Sequence, residues 1–349
     1  MNSKIKLFAG ILLLILIGVF AWWLVERRPE AVNQNPLTVG ELTPTEKEPE
    51  GLQSVNMIFG GDIMAARGVR ASVNKNLGSD YNKLFEFLGF LKTFDVVFAN
   101  LEGPASDKGT DLRNLYSFRM DISVIDALKN AGINILSLAN NHVGDWKKEA
   151  YEDTMTRLNQ ANIPFTGGGM TRAEAEAPTI IEKNGIKLGF LAFSDVGPSW
   201  MEVQEDNAGL LLANDPRFAE IVEAAAAQVN FLIVSFHFGD EYKPIHNNRQ
   251  EYLAHRAVDH GAKIIIGHHP HVVQDTEVYK DAYIAYSLGN FIFDQSWSEP
   301  TMIGMLLEIR LREDGSMSVK KNITQINKFF QPAIATEGVE EEIIFEEVI

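Results

Sequence analysis

Five stretches of this chain carry side chains able to hold a divalent cation, and each directly follows a short apolar run. They are Gly60-Gly61-Asp62, Asn100-Leu101-Glu102, Asn140-Asn141-His142-Val143-Gly144-Asp145, His237, and His268-His269-Pro270-His271. With no cysteine in the sequence, a metal site must be built from His, Asp, Glu or Asn, and a disulfide or Cys nucleophile is ruled out. Four of the eight histidines, five counting His268, fall in these stretches. Taken singly, each reads as a turn, a helix cap or a satisfied strand-end histidine. Gathered into one crevice, so many polar groups would cost several kcal/mol to bury unless a cation or hydrogen bonds satisfied them, at roughly 1–3 kcal/mol per unmet group. Pro270 resists helix, and in extended chain His269 and His271 project to the same side. Two cations about 3.5–4 Å apart would lower the pKa of a bridging water and stabilise charge on a phosphoryl or carbonyl oxygen, so hydrolysis or group transfer is the natural chemistry. Arg119 and Arg67 are the candidates for gripping a carboxylate or phosphate through paired hydrogen bonds, though a surface ion pair explains Arg67 equally well. Glu241 suits orienting His237 or contacting an amine, and Asn290 suits bracing the loop. His246, His255 and His260 lie on or near a polar helix and read as solvated.

Positioning these groups calls for alternating strands and helices. Runs ending at Phe59, Phe98, Leu138, Phe236 and Ile266 read as buried strands, and Tyr81–Lys92, Ile122–Ala131, Trp146–Ala161, Asp215–Gln228 and Asn248–His260 as helices. Asn184-Gly185 and Lys280-Asp281 mark hairpin turns, and Met302–Lys320 alternates as an antiparallel pair turning at Asp314-Gly315. The class is α/β, with a mixed sheet or two packed sheets. Ligands of such sheets bind at the carboxyl ends of parallel strands, where all five stretches fall. Gly167-Gly168-Gly169 lacks a following Lys-Ser/Thr and reads as a turn rather than a phosphate cradle.

A chain of 349 residues, 46% hydrophobic, can bury a sizeable core. Its 31 Lys+Arg against 47 Asp+Glu, a formal charge of -16 with no basic patch, argues against nucleic acid as a partner. From Leu7 to Val25 no residue is charged or strongly polar, enough for a single membrane-spanning helix within residues 1–25. Trp22 and Trp23 suit an interface, Lys4 and Lys6 precede the run, and no small-x-small cleavage site follows, so the reading is an uncleaved N-terminal transmembrane anchor. Residues 26–52, with Pro29, Pro36, Pro44 and Pro49 among polar residues, read as a disordered tether. Residues 53–332 form the folded domain, and the glutamate-rich tail 333–349 reads as an added strand or a mobile end.

The ordered motifs Gly61-Asp62-Ile63-Met64, Asn100-Leu101-Glu102-Gly103, Leu138-Ala139-Asn140-Asn141-His142, His237-Phe238-Gly239-Asp240-Glu241-Tyr242, Gly267-His268-His269-Pro270-His271-Val272 and Tyr286-Ser287-Leu288-Gly289-Asn290-Phe291 resemble those of the CapA-type poly-γ-glutamate capsule-synthesis family. The resemblance spans Val55 to Asp294. That family is similar in turn to the calcineurin-like metallophosphoesterases, which implies a two-sheet β-sandwich flanked by helices and two divalent ions of the Mn, Fe or Zn type. By that implication Asp62 and His271 hold one metal and Asn141, His237 and His269 the other, with Glu102 between them. His142 would protonate the leaving group, oriented by Asp145. Met64 stands where the phosphoesterases carry a histidine, which implies that one metal is weakly held or absent. The implied role is a membrane-anchored extracytoplasmic domain acting in synthesis, export or attachment of an anionic polymer such as poly-γ-glutamate, by metal-activated water. The alternatives are a non-catalytic polymer-binding subunit of a membrane synthase–export complex, or a phosphodiesterase acting on another phosphoester.

Overall fold

The computed structural model describes residues 52–345, with side chains through residue 335. The expected anchor (1–25) and nearly all of the tether (26–52) lie outside the described residues. Among the described residues no helix is long and apolar enough to cross a membrane.

The strands are β1 (Ser54–Ile63), β2 (Val96–Leu101), β3 (Ile135–Ser137), β4 (Phe165–Thr166), β5 (Gly168–Gly169), β6 (Thr179–Lys183), β7 (Ile186–Ser194), β8 (Gly209–Leu210), β9 (Phe231–His237), β10 (Ala262–His268), β11 (Thr276–Tyr279), β12 (Ala282–Ala285), β13 (Asn290–Ile292), β14 (Ile303–Arg312), β15 (Met317–Ile326) and β16 (Pro332–Phe345). The helices are α1 (Arg67–Asn76), α2 (Ser123–Ala131), α3 (Lys147–Ala161), α4 (Arg172–Glu176), α5 (Phe218–Ala226) and α6 (Asn248–Asp259). Among the described residues one sheet has the order β16-β15-β14-β1-β2-β3-β4, with β13 also on β1, and a second has the order β11-β12-β10-β9-β7-β6. The fold is therefore mixed α/β with two principal sheets.

Each sheet is apolar on both faces, which is why its central strands read as unbroken hydrophobic runs rather than alternating ones. Met57, Phe59, Val96 and Phe98 of the first sheet pack against Phe190, Ile233, Ile264 and Ile266 of the second to make the inner core. The outer face of the first sheet packs on Val69, Val73, Leu128, Tyr151 and Met155 from α1 to α3. The outer face of the second packs on Phe218, Val222, Leu253 and Ala257 from α5 and α6. Helix α6 starts with a reciprocal cap: Asn247 accepts from the Gln250 amide, and Gln250 accepts from the Asn247 amide.

All five expected functional strands form, and so do the hairpins at Asn184-Gly185, Lys280-Asp281 and Asp314-Gly315. Residues 81–92 correct the sequence reading. In place of one α-helix there are two tight 3₁₀ turns, Tyr81–Phe85 and Gly89–Thr93, separated near Gly89. Asp80 caps the first by accepting the Asn82 amide, and a glycine inside the run weakens any continuous helix. The start of the tail is an added strand, since β16 pairs antiparallel with β15.

One close approach fixes where β1 ends. A Cβ on Gly61 would lie 1.9 Å from the Gly289 carbonyl oxygen, and the neighbouring Asp62 amide donates to that same oxygen at 3.0 Å. Gly61→Ala is therefore expected to lower stability by about 2–3 kcal/mol through forced backbone displacement. Gly89→Ala, with nothing within 4 Å of the added carbon, serves as the neutral control. Thermal unfolding of the two variants checks this, and an unchanged midpoint for Gly61→Ala would refute it.

Candidate metal centre

The two sheets turn their carboxyl ends toward one another, and the chemistry-bearing residues meet there. Asp62 closes β1 opposite Asn100 of β2 and Asn290 of β13. His237 closes β9 opposite His268, the last residue of β10. Between the sheets, the Asn100 side-chain amide donates to Asp62 Oδ1 at 2.8 Å and lies 3.4 Å from His237 Nδ1. Asn140, just beyond β3, donates to Asn100 Oδ1 at 3.1 Å and to the Leu101 carbonyl at 2.8 Å. Both asparagines fall in the stretches named from the sequence, which gives neither of them a role. Their signal was available in the register, because a polar residue facing Asp62 across a buried parallel ladder must find a partner.

Asp62 is wholly buried. The amide of His269 donates to its Oδ2 at 3.2 Å, His268 Nδ1 lies 3.2 Å from Oδ1, and His271 Nδ1 lies 3.5 Å from Oδ2. Burial alone would raise the Asp62 carboxyl, but these histidine contacts outweigh it and hold the group well below the ordinary carboxylate range. Glu102 is the opposite case. Burial first, then repulsion by Asp62, push its carboxyl well above the usual value. It has no exposure, and neither of its oxygens has a hydrogen-bond partner.

His269 and His271 do not sit in extended chain. Their φ angles are +98° and +58°, so the backbone bends left-handed at both, and this bend rather than a two-residue strand repeat places the rings 5.9 Å apart. Positive φ at two non-glycine residues costs on the order of 1–3 kcal/mol each, strain of the kind that concentrates at functional sites. Burial, then the neighbouring His271, push His269 down to about 3. His271 goes the other way. Burial lowers it, but Glu102 and Asp62 override that and raise it to about 9. His271 Nδ1 also lies 3.0 Å from Asn290 Oδ1, and Asn290 in turn donates to Gln295 and to the Thr301 carbonyl, which links the ring to the 295–301 segment. His237 is held well below its ordinary value by burial and then by His269. Its Nε2 lies 2.8 Å from Asn141 Oδ1, and its ring lies 4.8 Å from that of His269.

His142 stands at the edge of this cluster. Its Nδ1 is 2.7 Å from Asp145 Oδ2, and its Nε2 is 3.7 Å from Glu102 Oε1. Asp145 accepts from Asn114 and from the Phe118 amide, at 2.9 and 2.8 Å, and the Phe118 ring stacks on the imidazole at 3.8 Å. Nothing in the sequence singled out Phe118 or Asn114, because both act through a loop far from His142 in the chain.

The arginines do not enter the cluster. Arg67 is ion-paired with Asp294, and its guanidinium lies 4.6 Å from the Phe118 ring centre. Arg119 stacks on Trp146 at 3.5 Å and donates to the Lys108 carbonyl. Glu241, exposed, sits not on His237 but within reach of His269 and His271. The remaining histidines are less solvated than their helix suggested: His246, His255 and His260 each lie within 2.7–3.0 Å of a carboxylate oxygen, on Asp275, Glu277 and Glu223.

The donor set fits divalent cations. Ligand atoms of Asp62, Glu102 and His271 all lie within 4.8 Å of one another, as do those of Glu241, His269 and His271. The unpartnered Glu102 oxygens and the buried, unpartnered Nδ1 of His269 are what a cation would satisfy. Ligation requires neutral imidazole and ionised carboxylate. His271, protonated up to about 9, must give up its proton. Metal uptake at pH 7 is therefore expected to release that proton, and affinity to rise by about tenfold per pH unit between pH 7 and 9. Calorimetry in buffers of different ionisation enthalpy checks this, and proton-neutral uptake with flat affinity would contradict it.

Comparison with known proteins places this arrangement. Residues 56–295 match the family model described as bacterial capsule synthesis protein PGA_cap. The capsule biosynthesis protein CapA of Bacillus anthracis is 33% identical over 275 residues, 76% of this chain and 66% of that protein, so the chain spans just under two thirds of that relative's length. The PGA biosynthesis protein CapA of Bacillus subtilis is 29% identical over 298 residues, 83% of this chain and 76% of that one. Among solved structures, the calcineurin-like phosphoesterase YfkN of Bacillus subtilis aligns with a TM-score of 0.44 and 12% identity, covering 84% of this chain and 94% of the other. A structural likeness that distant has no bearing on activity. The family match, which takes in every motif that builds the centre from Asp62 to Asn290, does settle kinship: this chain belongs to the bacterial capsule synthesis protein family PGA_cap.

Proposed function

We propose that this protein is a metal-dependent hydrolase or transferase acting in the synthesis, export or attachment of an anionic capsular polymer, with poly-γ-glutamate the polymer its relatives point to. In this reading residues 1–25 anchor it in the membrane, 26–52 form a tether, and the domain works outside the cytoplasm. The observation that carries the catalytic part is the oriented imidazole of His142. Asp145 takes the Nδ1 side, Phe118 packs one face, and Nε2 is left facing Glu102 across 3.7 Å.

Asp62, Glu102 and His271, with Asn141, His237 and His269 beside them, would hold the cations. Divalent ions in this position supply an activated water and charge stabilisation on the attacked phosphoryl or carbonyl group. The chain's own residues do the rest. Asp145, accepting from His142 Nδ1–H, fixes the tautomer that leaves Nε2 directed into the crevice. That nitrogen can then hand a proton to a departing oxygen or nitrogen and recover it from solvent. Asn290 and Asn100 keep His271 and Asp62 from turning away. Because Arg67 and Arg119 are engaged elsewhere, the grip on a substrate anion falls mainly to the cations.

A second reading, a subunit that grips polymer without turnover, is favoured by Met64. It is fully buried, and its sulfur accepts the Ala66 amide at 3.3 Å, so it offers no ligand where the phosphoesterases carry a histidine. The full chain loaded with Mn²⁺ and assayed on a model phosphodiester and on poly-γ-glutamate separates the two. His142→Ala is expected to lose about 10²–10⁴-fold in kcat while its bound metal, counted by mass spectrometry, stays unchanged. Turnover undiminished in His142→Ala refutes the acid role, and metal-loaded protein that binds polymer without turnover establishes the subunit reading.

A further inference from the structure

Glu241 reads from the sequence as a partner of His237 or of an amine, and the structure puts it beside two other histidines of the crevice instead. The Tyr242 amide donates to the Pro270 carbonyl at 2.8 Å, which clips the loop after β9 onto the His269-Pro270-His271 bend. Asp240 steadies that loop from its other side by accepting from Asn247 at 2.8 Å. The clip brings the Glu241 carboxylate alongside the two histidines, with ligand atoms of all three within 4.8 Å of one another. A second observation falls on the same group of three: His269 is 7% exposed, and its Nδ1 is buried without a partner.

These positions fall into two overlapping sets. Asp62, Glu102 and His271 form one, Glu241, His269 and His271 the other. Met64 cannot complete either, since its sulfur is turned to the Ala66 amide in the core.

We infer that Glu241 is a metal ligand, completing with His269 and His271 a two-histidine, one-carboxylate position that offsets the missing histidine at residue 64. This rests on the metal-centre reading above. Two imidazoles and one carboxylate, with one side open to solvent because Glu241 is exposed, suit Zn²⁺, Fe²⁺ or Mn²⁺ with coordination places left for water or substrate. A carboxylate also brings a negative charge that the neutral histidine of the phosphoesterase pattern does not. The pair of cations would therefore carry one unit less net charge, and the position would favour harder ions.

The test uses the full chain, stripped with chelator and titrated with Mn²⁺, with stoichiometry read by calorimetry and by mass spectrometry of the bound metal. Wild type is expected to take two ions. Glu241→Gln is expected to weaken one of the two by more than the roughly 10–100-fold cost of losing a group that only orients a ligand. Glu241→Asp should retain part of that affinity, and Glu182→Gln, removing an exposed carboxylate on β6 away from the crevice, should keep both ions. Circular dichroism melting confirms folding of each variant. Two ions held by Glu241→Gln with wild-type affinity overturn the assignment of Glu241 and leave the metal centre standing, as does loss of both ions together from a folded variant. Wild type that binds no Mn²⁺ overturns the metal centre itself, and the ligand assignment with it.

Discussion

The ionised carboxylate of Asp62, buried where two sheets converge, is the interaction on which the rest of this structure depends. A charge with no solvent exposure is tolerated only when surrounding groups replace its hydration. Here Asn100 and the His269 amide donate to it while His268 and His271 approach within 3.5 Å. Those partners come from β2, β10 and the bend after β10, so satisfying one side chain requires both sheets to be in place. Asp62 and Glu102 together hold a proton on His271, while both oxygens of Glu102, 3.8 Å from that ring, are without hydrogen-bond partners. The site is thus assembled in an unbalanced state that a cation would balance.

Much of this was legible in the residues. Apolar runs bounded by Gly-Asp, Asn-Leu-Glu and Asn-Asn-His gave strands at the right places, because strands covered on both faces have to be continuously hydrophobic. The grouping of Asp62, Glu102, His269 and His271 followed from their shared position at strand ends. What stayed hidden depended on backbone detail. The left-handed bend at His269 and His271 has no composition cue, since histidine at positive φ is uncommon and its presence there reflects the tertiary structure around it. The break in 81–92 was misread because Leu84, Phe85, Leu88 and Leu91 are all buried, which satisfies a helical pattern even when the backbone takes two tighter turns. Glu241 was misplaced for a related reason. Its loop is set by a single main-chain hydrogen bond to Pro270, a contact between segments some thirty residues apart that no local spacing encodes.

The arginines show how charge is apportioned. Arg67 and Arg119 lie near the site in sequence, yet one is neutralised by Asp294 and the other is spent on an indole face and a carbonyl. In a chain with a formal charge of -16, this leaves the crevice with a surplus of carboxylates. On the function proposed above, an anionic polymer approaching such a surface would meet repulsion except where divalent ions reversed the local sign, which would tie its affinity to metal occupancy by electrostatics.

Phe118 has a part in this that goes beyond packing. Its ring lies 4.6 Å from the Arg67 guanidinium and stacks on the His142 imidazole at 3.8 Å, while its own amide donates to Asp145. One residue thereby joins a surface ion pair to the proton-bearing nitrogen through a column of stacked planes. A disturbance of the outer loop that tilted this ring would swing the imidazole stacked on it, making the loop a dial on the site rather than a mere cover.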